Sequence, residues 1–267
     1  MKTLSRCKPA LGTYVKLHLA QETDDDSLLQ LSEAVFAEIE RIEAIMSFHR
    51  SESELSRVNR DAFRQPVVLS SEMNELLSFC AELYDRSGGT FDVTVGGDMV
   101  KRGALPGQNG FAEPRGRWDA VRLEAGRIFF GQPVLLDLGG VAKGYAVDKA
   151  MAVLPPDCQA VLNAGGDLKM RPWRHRTVGV REPSGGALHH LDMQAAALAT
   201  SSAEFHEQGH PVTNPKSGRP LEDARVISVF ASSCMVADAL TKCAFLQEDT
   251  HHLTMMYDAE CVCLGSP

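Results

Sequence analysis

The chain has 267 residues and a formal net charge of −8, from 27 Lys and Arg against 35 Asp and Glu. Hydrophobic residues make up 44% and charged residues 23%, an ordinary globular balance that excludes disorder, collagen and coiled coil. No basic block interrupts the acidic charge, so a nucleic-acid surface lacks electrostatic support, and no apolar run is long enough for a membrane span.

The length allows one large domain or two small ones. The seven cysteines (7, 80, 158, 234, 243, 261 and 263) are odd in number and scattered without a CxxC pair, which argues against a disulfide framework or a zinc ribbon. They point to a reducing compartment. No apolar signal core precedes Cys7 in LSRC, so the expected location is cytoplasmic, with a truncated lipoprotein as the alternative.

Val15, Leu17 and Leu19 alternate with polar residues and predict a first strand over Thr13 to Leu19. Ser27 with Gln30 forms a capping-box pattern, and Leu28, Leu31, Val35, Ile39, Ile42 and Met46 then recur at helical spacing. A second helix is predicted from Ser71 to Arg86, stopped by Gly88-Gly89. Short strands follow at Ala120 to Leu123, Arg127 to Phe130 and Pro133 to Leu138, then a helix carrying Val147, Ala150, Met151 and Leu154. Further strands are expected at 160–164, 177–181, 188–193, 195–200 and 225–231, before a last helix from Met235 to Leu246. The irregular interleaving and hairpin-like pairs predict an α+β fold with a mixed, largely antiparallel sheet.

The most informative segment is Asp137-Leu138-Gly139-Gly140-Val141-Ala142-Lys143-Gly144. A strand ending in a carboxylate, two glycines and a helix start with a lysine one turn in is a way to hold phosphate, and equally a way to make a tight turn. It matches neither nucleotide-binding glycine fingerprint. Two further glycine-bearing segments, Asn163 to Asp167 and Gly89 to Gly96, offer carboxylates at expected strand ends. Asp238 and Lys242 stand four apart on the last helix, which fits a helix salt bridge or a metal-ligating carboxylate. His206-Glu207-Gln208-Gly209-His210 matches HExxH literally, but Gly209 and the following Pro211 oppose the helix that a zinc-protease site needs.

Eight ordered blocks, MSFHRSESELSRVN (46–59), GTFDVTVG (89–96), LDLGGVAKGYAVD (136–148), NAGGD (163–167), VGVREP (178–183), ATSSAEF (199–205), NPKSGRP (214–220) and CMVADALTK (234–242), resemble the ApbE family of FAD:protein FMN transferases. The resemblance spans nearly the whole chain and implies one domain over 1–267 with a tunnelling-fold-related α+β architecture. It implies FAD as substrate, Mg2+ as cofactor, and a partner protein whose Ser or Thr receives FMN while AMP leaves. By motif position, Asp137 and Lys143 contact FAD, Thr90, Phe91 and Asp92 line the flavin pocket, and Val212 flanks it. Gly140, through its carbonyl, and Asp238 are the implied metal ligands.

Four positions depart from the family pattern. The threonine four residues after the metal aspartate is Lys242, with Thr241 one residue early as the substitute ligand. The flavin-stacking tyrosine is His49, and the methionine before Gly-Thr is Leu11. The histidine proposed as base falls on Pro211, leaving His210 beside it. The expected catalytic residues are therefore Asp238 and His210. A flavin-binding pseudoenzyme or regulator and an FAD pyrophosphatase are the alternatives.

Overall fold

The computed structural model describes residues 1–107, 116–182, 186–202, 212–247 and 250–265. In chain order the first elements are β1 (Lys2–Ala10), β2 (Thr13–Gln21), α1 (Asp25–Met46), α2 (Glu54–Asp61), β3 (Val67–Val68), α3 (Ser71–Arg86) and α4 (Gly96–Lys101). A 3-10 turn at Trp118–Ala120 leads to β4 (Val121–Glu124), β5 (Arg127–Phe130), α5 (Ala142–Ala152), β6 (Gln159–Ala164), β7 (Asp167–Arg171), β8 (Thr177–Arg181) and β9 (Leu188–Asp192). The last third holds β10 (Ala197–Ser202), β11 (Thr213–Asn214), β12 (Arg219–Pro220), β13 (Val226–Ala231), α6 (Cys234–Leu246), α7 (His251–Met256) and β14 (Glu260–Leu264). These form two compact units, one of residues 1–43, 141–205 and 223–267, the other of 44–140 and 206–222.

The first unit is built on a seven-stranded sheet in the order β1-β2-β6-β7-β10-β13-β14, with every described pairing antiparallel. The α+β expectation with a largely antiparallel sheet holds. Strand β1 joins β2 through a two-residue turn in which Leu11 (φ 56°) and Gly12 (φ 71°) are both left-handed, the geometry that matches the twist of a hairpin. Alternation along β7 sorts its side chains onto two faces. Leu168 and Met170 join Leu198, Val226 and Phe230 in an apolar cluster with Val180 and Met193. Asp167 and Lys169 point the other way and bond to Lys143 and Asp148 of α5. The face of β7 turned to α5 is therefore ionic.

Helices α5 and α6 cross closely because Gly144 lacks a side chain. A Cβ there would lie 2.3 Å from the Cys234 carbonyl oxygen and 2.9 Å from Asp238 Cβ. Asp148, one turn further along α5, receives the Cys234 and Met235 amides at 3.0 and 2.9 Å and the Ser233 hydroxyl at 2.7 Å, capping α6.

The second unit holds α2, α3, α4 and the three-stranded sheet β3-β5-β4. Leu55, Val58, Met73, Leu76, Leu77, Leu83, Ile128 and Phe130 are buried in it. α3 and β5 have the predicted bounds.

Two local expectations are corrected. The cap of α1 is Asp24, whose carboxylate receives the Ser27 amide at 2.7 Å, so the helix begins at Asp25 and Ser27 lies inside it. Pro133 to Leu138 forms no strand beyond an isolated parallel bridge of Leu135 with Val95, because on its other edge a side chain stands where a strand would: Asn59 receives the Leu136 amide at 2.8 Å and donates to its carbonyl at 2.9 Å. The flanking groups are held by Val93 and Gly96, at 2.7 and 3.1 Å. Sequence reading missed β1, whose alternation is diluted by polar residues on both faces, and the five-residue strands β7 and β14.

Candidate functional site

The first unit brings together two carboxylates and two ammonium groups from three elements. Lys143, in the first turn of α5, pairs with Asp167 at the start of β7, and its Nζ lies 3.8 Å from Asp238 Oδ2. Lys242 reaches back one turn of α6 to Asp238 Oδ1. Asp238 Oδ2 also receives the Gly144 amide at 3.2 Å, so Asp238 caps α5 as Asp148 caps α6.

The carboxylates are sealed, with side-chain exposures of 1% for Asp167 and 0% for Asp238, while Lys143 retains 31% and Lys242 16%. The cluster is neutral overall, and what surface it keeps belongs to the lysine side chains rather than to the carboxylates. An approaching anion meets the lysine side chains before the carboxylates, which favours phosphate in a protein of charge −8.

Hydroxyl groups complete the cluster in a fixed order. Thr241 donates to its own helix at the Asp238 carbonyl oxygen, 2.7 Å away. Its contact with Ser201, at 2.8 Å, must then use the Ser201 proton, and Ser201 Oγ accepts from Lys242 at 3.1 Å. Burial raises the Asp238 carboxyl, but Lys143 and Lys242 outweigh it and hold the group below its ordinary value. Burial and the neighbouring Asp238 push Asp167 up to about 6. Burial disfavours the Lys143 ammonium, yet Asp167 and Asp238 overcome that and keep it charged well above the usual lysine range.

In the second unit, half-buried Asp137 accepts the Gly139 amide at 3.2 Å. Burial raises its carboxyl, and the charges of His49 and Arg102 oppose the rise. Arg102 also donates to Thr213 at 3.1 Å.

The model of the ApbE family matches residues 11–263. The chain belongs to the ApbE family. Among curated proteins it resembles the FAD:protein FMN transferase of Treponema pallidum (strain Nichols), 26% identical over 92% of this chain and 79% of that protein. The Chlamydia pneumoniae FAD:protein FMN transferase is 29% identical over 79% of this chain and 74% of that one. An ApbE protein of Thermotoga maritima superimposes with a TM-score of 0.85 at 23% identity, covering 98% and 94% of the two chains. The flavin transferase ApbE of Vibrio cholerae gives 0.83 at 20% identity, covering 98% and 93%.

Of the residues that the ApbE resemblance implies, Lys143, Asp238 and Thr241 meet in the first unit. Leu11 lies in the β1–β2 turn of the same unit. Asp137, Thr90, Phe91, Asp92, His49, Val212 and Gly140 belong to the second. Phe91 and Thr90 are buried, and Asp92 is occupied within its own loop, accepting the Thr94 amide at 2.8 Å and hydroxyl at 2.7 Å. That turn replaces the strand end expected over 89–96. Val212 is buried and its carbonyl accepts from Leu221 at 3.1 Å, while His49 is exposed. His210 and the HExxH match lie outside the described residues. Sequence reading gave no role to Arg102, Ser201 or Asp148. Only the four-residue spacing of Gly144 and Asp148, which puts both on one face of α5, signals the last of these.

The donor set around Asp238 does not fit a divalent cation. Both carboxylate oxygens are engaged, each next to an ammonium group, and the Thr241 hydroxyl is committed to Asp238 and Ser201. Among the described residues no three His, Cys, Asp or Glu side chains gather to hold a metal. A cleft of about 580 Å³ lined by Met151, Met170, Trp173 and Arg174 contains none of the implied site residues. No described helix is long and apolar enough to cross a membrane.

Proposed function

We propose that this chain transfers FMN from FAD to a Ser or Thr hydroxyl of a partner protein and releases AMP. The observation that carries the reading is the pair of partly exposed lysines, Lys143 and Lys242, fixed by two sealed carboxylates in a member of this family. The acceptor oxygen bonds to the FMN-side phosphorus, the bond from that phosphorus to the bridging oxygen breaks, and AMP leaves with the electron pair. The hydroxyl proton passes to a base, for which His210 is the candidate. Phosphoryl transfer of this kind depends on positioning and charge cancellation, which two fixed cations supply.

Asp137 is the proposed acceptor for a polar group of FAD, with Thr90, Phe91, Asp92, Val212, His49 and Leu11 as the flavin contacts that the family resemblance implies. The implied Mg2+ ligands were Gly140, Asp238 and Thr241. The engagement of Asp238 and Thr241 argues against that set, so no step is assigned to the metal.

The test is incubation of the chain with FAD and an acceptor protein carrying an unmodified Ser or Thr flavinylation site. Covalent flavin fluorescence on the acceptor with stoichiometric AMP is expected. FAD binding without transfer would instead favour a flavin-binding pseudoenzyme, a reading to which the Lys242 contact lends support. AMP release without an acceptor would favour a pyrophosphatase.

A further inference from the structure

We infer that the ammonium of Lys242 fills the cation position beside Asp238, so that the cluster takes a diphosphate on Lys143 and Lys242 without a divalent metal. Lys242 Nζ is bonded to Asp238 Oδ1 and, at 3.1 Å, to Ser201 Oγ, and it remains 16% exposed. Two of its three donors are thereby used, and the third is given no acceptor by the described residues. A divalent ion at Asp238 would have to displace Lys242 from Oδ1 or share Oδ2 with the Gly144 amide while lying close to Lys143. Either route sets the ion against an ammonium group at short range in a site with little solvent to screen the repulsion.

The hydroxyl order strengthens the assignment. Lys242 donates to Ser201, Ser201 to Thr241, and Thr241 to the Asp238 carbonyl, so the lysine is the head of a directed chain that ends on the residue it neutralises. Asp238 thus has a structural counter-ion supplied by its own helix, and Lys143 has its own in Asp167. The pair of cations is balanced before any ligand arrives, and a bound diphosphate adds net negative charge that the partly exposed lysines receive. The diphosphate half of this inference rests on the flavin reading above; the cation half does not.

The experiment uses the full chain freed of metal with EDTA. Titration with Mn2+ alone, read by electron paramagnetic resonance, should show no stoichiometric binding to the wild-type protein. The Lys242→Thr and Lys242→Met variants, each checked by thermal melting, should bind Mn2+ at least about tenfold more tightly. Stoichiometric Mn2+ binding by the wild-type chain, or variants that bind no better than it does, would overturn the assignment. FAD binding followed by flavin fluorescence should be equal in EDTA and in Mg2+ for the wild type and should become Mg2+-dependent in Lys242→Thr. A wild-type affinity that rises tenfold or so with Mg2+ contradicts the inference. Absence of FAD binding in both buffers would sink the diphosphate half together with the flavin reading, and the Mn2+ titration would then decide by itself whether Lys242 fills the cation position.

Discussion

Asp148 and Asp238 cap each other's helices: Asp148 of α5 receives the Cys234 and Met235 amides at the start of α6, and Asp238 of α6 receives the Gly144 amide at the start of α5. Each carboxylate also holds a lysine, Lys169 for Asp148 and Lys242 for Asp238. Exchange of caps between two crossing helices satisfies amides that lack intrahelical partners and sets the depth at which the ionic cluster sits.

Asp148→Ala removes three hydrogen bonds to the start of α6 and the partner of Lys169. The expected loss is about 2 kcal/mol, the upper range for a helix cap, measured by urea denaturation. A variant as stable as the wild type would show that α6 holds its position without this cap.

Gly144→Ala tests the close crossing. The new methyl would meet backbone at 2.3 Å, so the helices must part, and the gain of about 1 kcal/mol in helix propensity is outweighed by strain. A net destabilisation of about 2 kcal/mol is expected from thermal melts, with weakened FAD binding because Lys143 and Asp238 separate.

Removing the Asp238 charge leaves Lys143 and Lys242 without their shared partner. Asp238→Asn should lower FMN transfer by about a hundredfold and cost about 3 kcal/mol of stability. Turnover equal to wild type would take Asp238 out of the reaction.

The pH dependence follows from Asp167. Its carboxyl is raised from 3.8 to about 6 in the folded chain, so the folded state holds the proton more tightly than the unfolded one. The stability this group contributes is fully present below 3.8 and is lost as pH rises through about 6. Relative to Asp167→Asn, which does not titrate, the wild type should therefore lose stability across that window in denaturation curves taken at successive pH values. A constant difference would show that Asp167 does not carry the shift.

Asn59 does the work of a neighbouring strand in the second unit. Asn59→Leu strips the Leu136 amide and carbonyl of their partners in a buried setting, at an expected cost of about 2 kcal/mol. Faster amide hydrogen exchange at Leu136 and Asp137 would mark the segment that presents Asp137.

Much of the fold was legible because its signals are local. The helical spacing of Met73, Leu76, Leu77, Cys80 and Leu83 with the Gly88-Gly89 stop located α3, and the alternation in Arg127 to Phe130 located β5. Ser27 misled because Asp24 competes for the same capping role and lies three residues earlier, where its carboxylate meets the Ser27 amide. Pro133 to Leu138 misled because its apolar run is buried like a strand but hydrogen-bonded through the side chain of Asn59, 77 residues away.

Residue identity alone determined an acidic α+β protein with a glycine-rich strand-to-helix passage ahead of Lys143, and the order of its motifs carried the resemblance to one family. The four-residue spacing of Asp238 and Lys242 fitted a helix salt bridge or a metal ligand, and the family resemblance favoured the ligand. Only the tertiary structure decided that Asp238 is sealed and shared between two lysines, because that depends on α5 meeting α6 across 94 residues of chain at a glycine and on β7 turning Asp167 toward both helices. Local periodicity fixes which face of an element is apolar. Which charges meet is settled only when the elements pack: Asp238 keeps the partner that sequence proximity suggests, Lys242, and packing adds Lys143 from a distant helix in a buried setting where the interaction is strong.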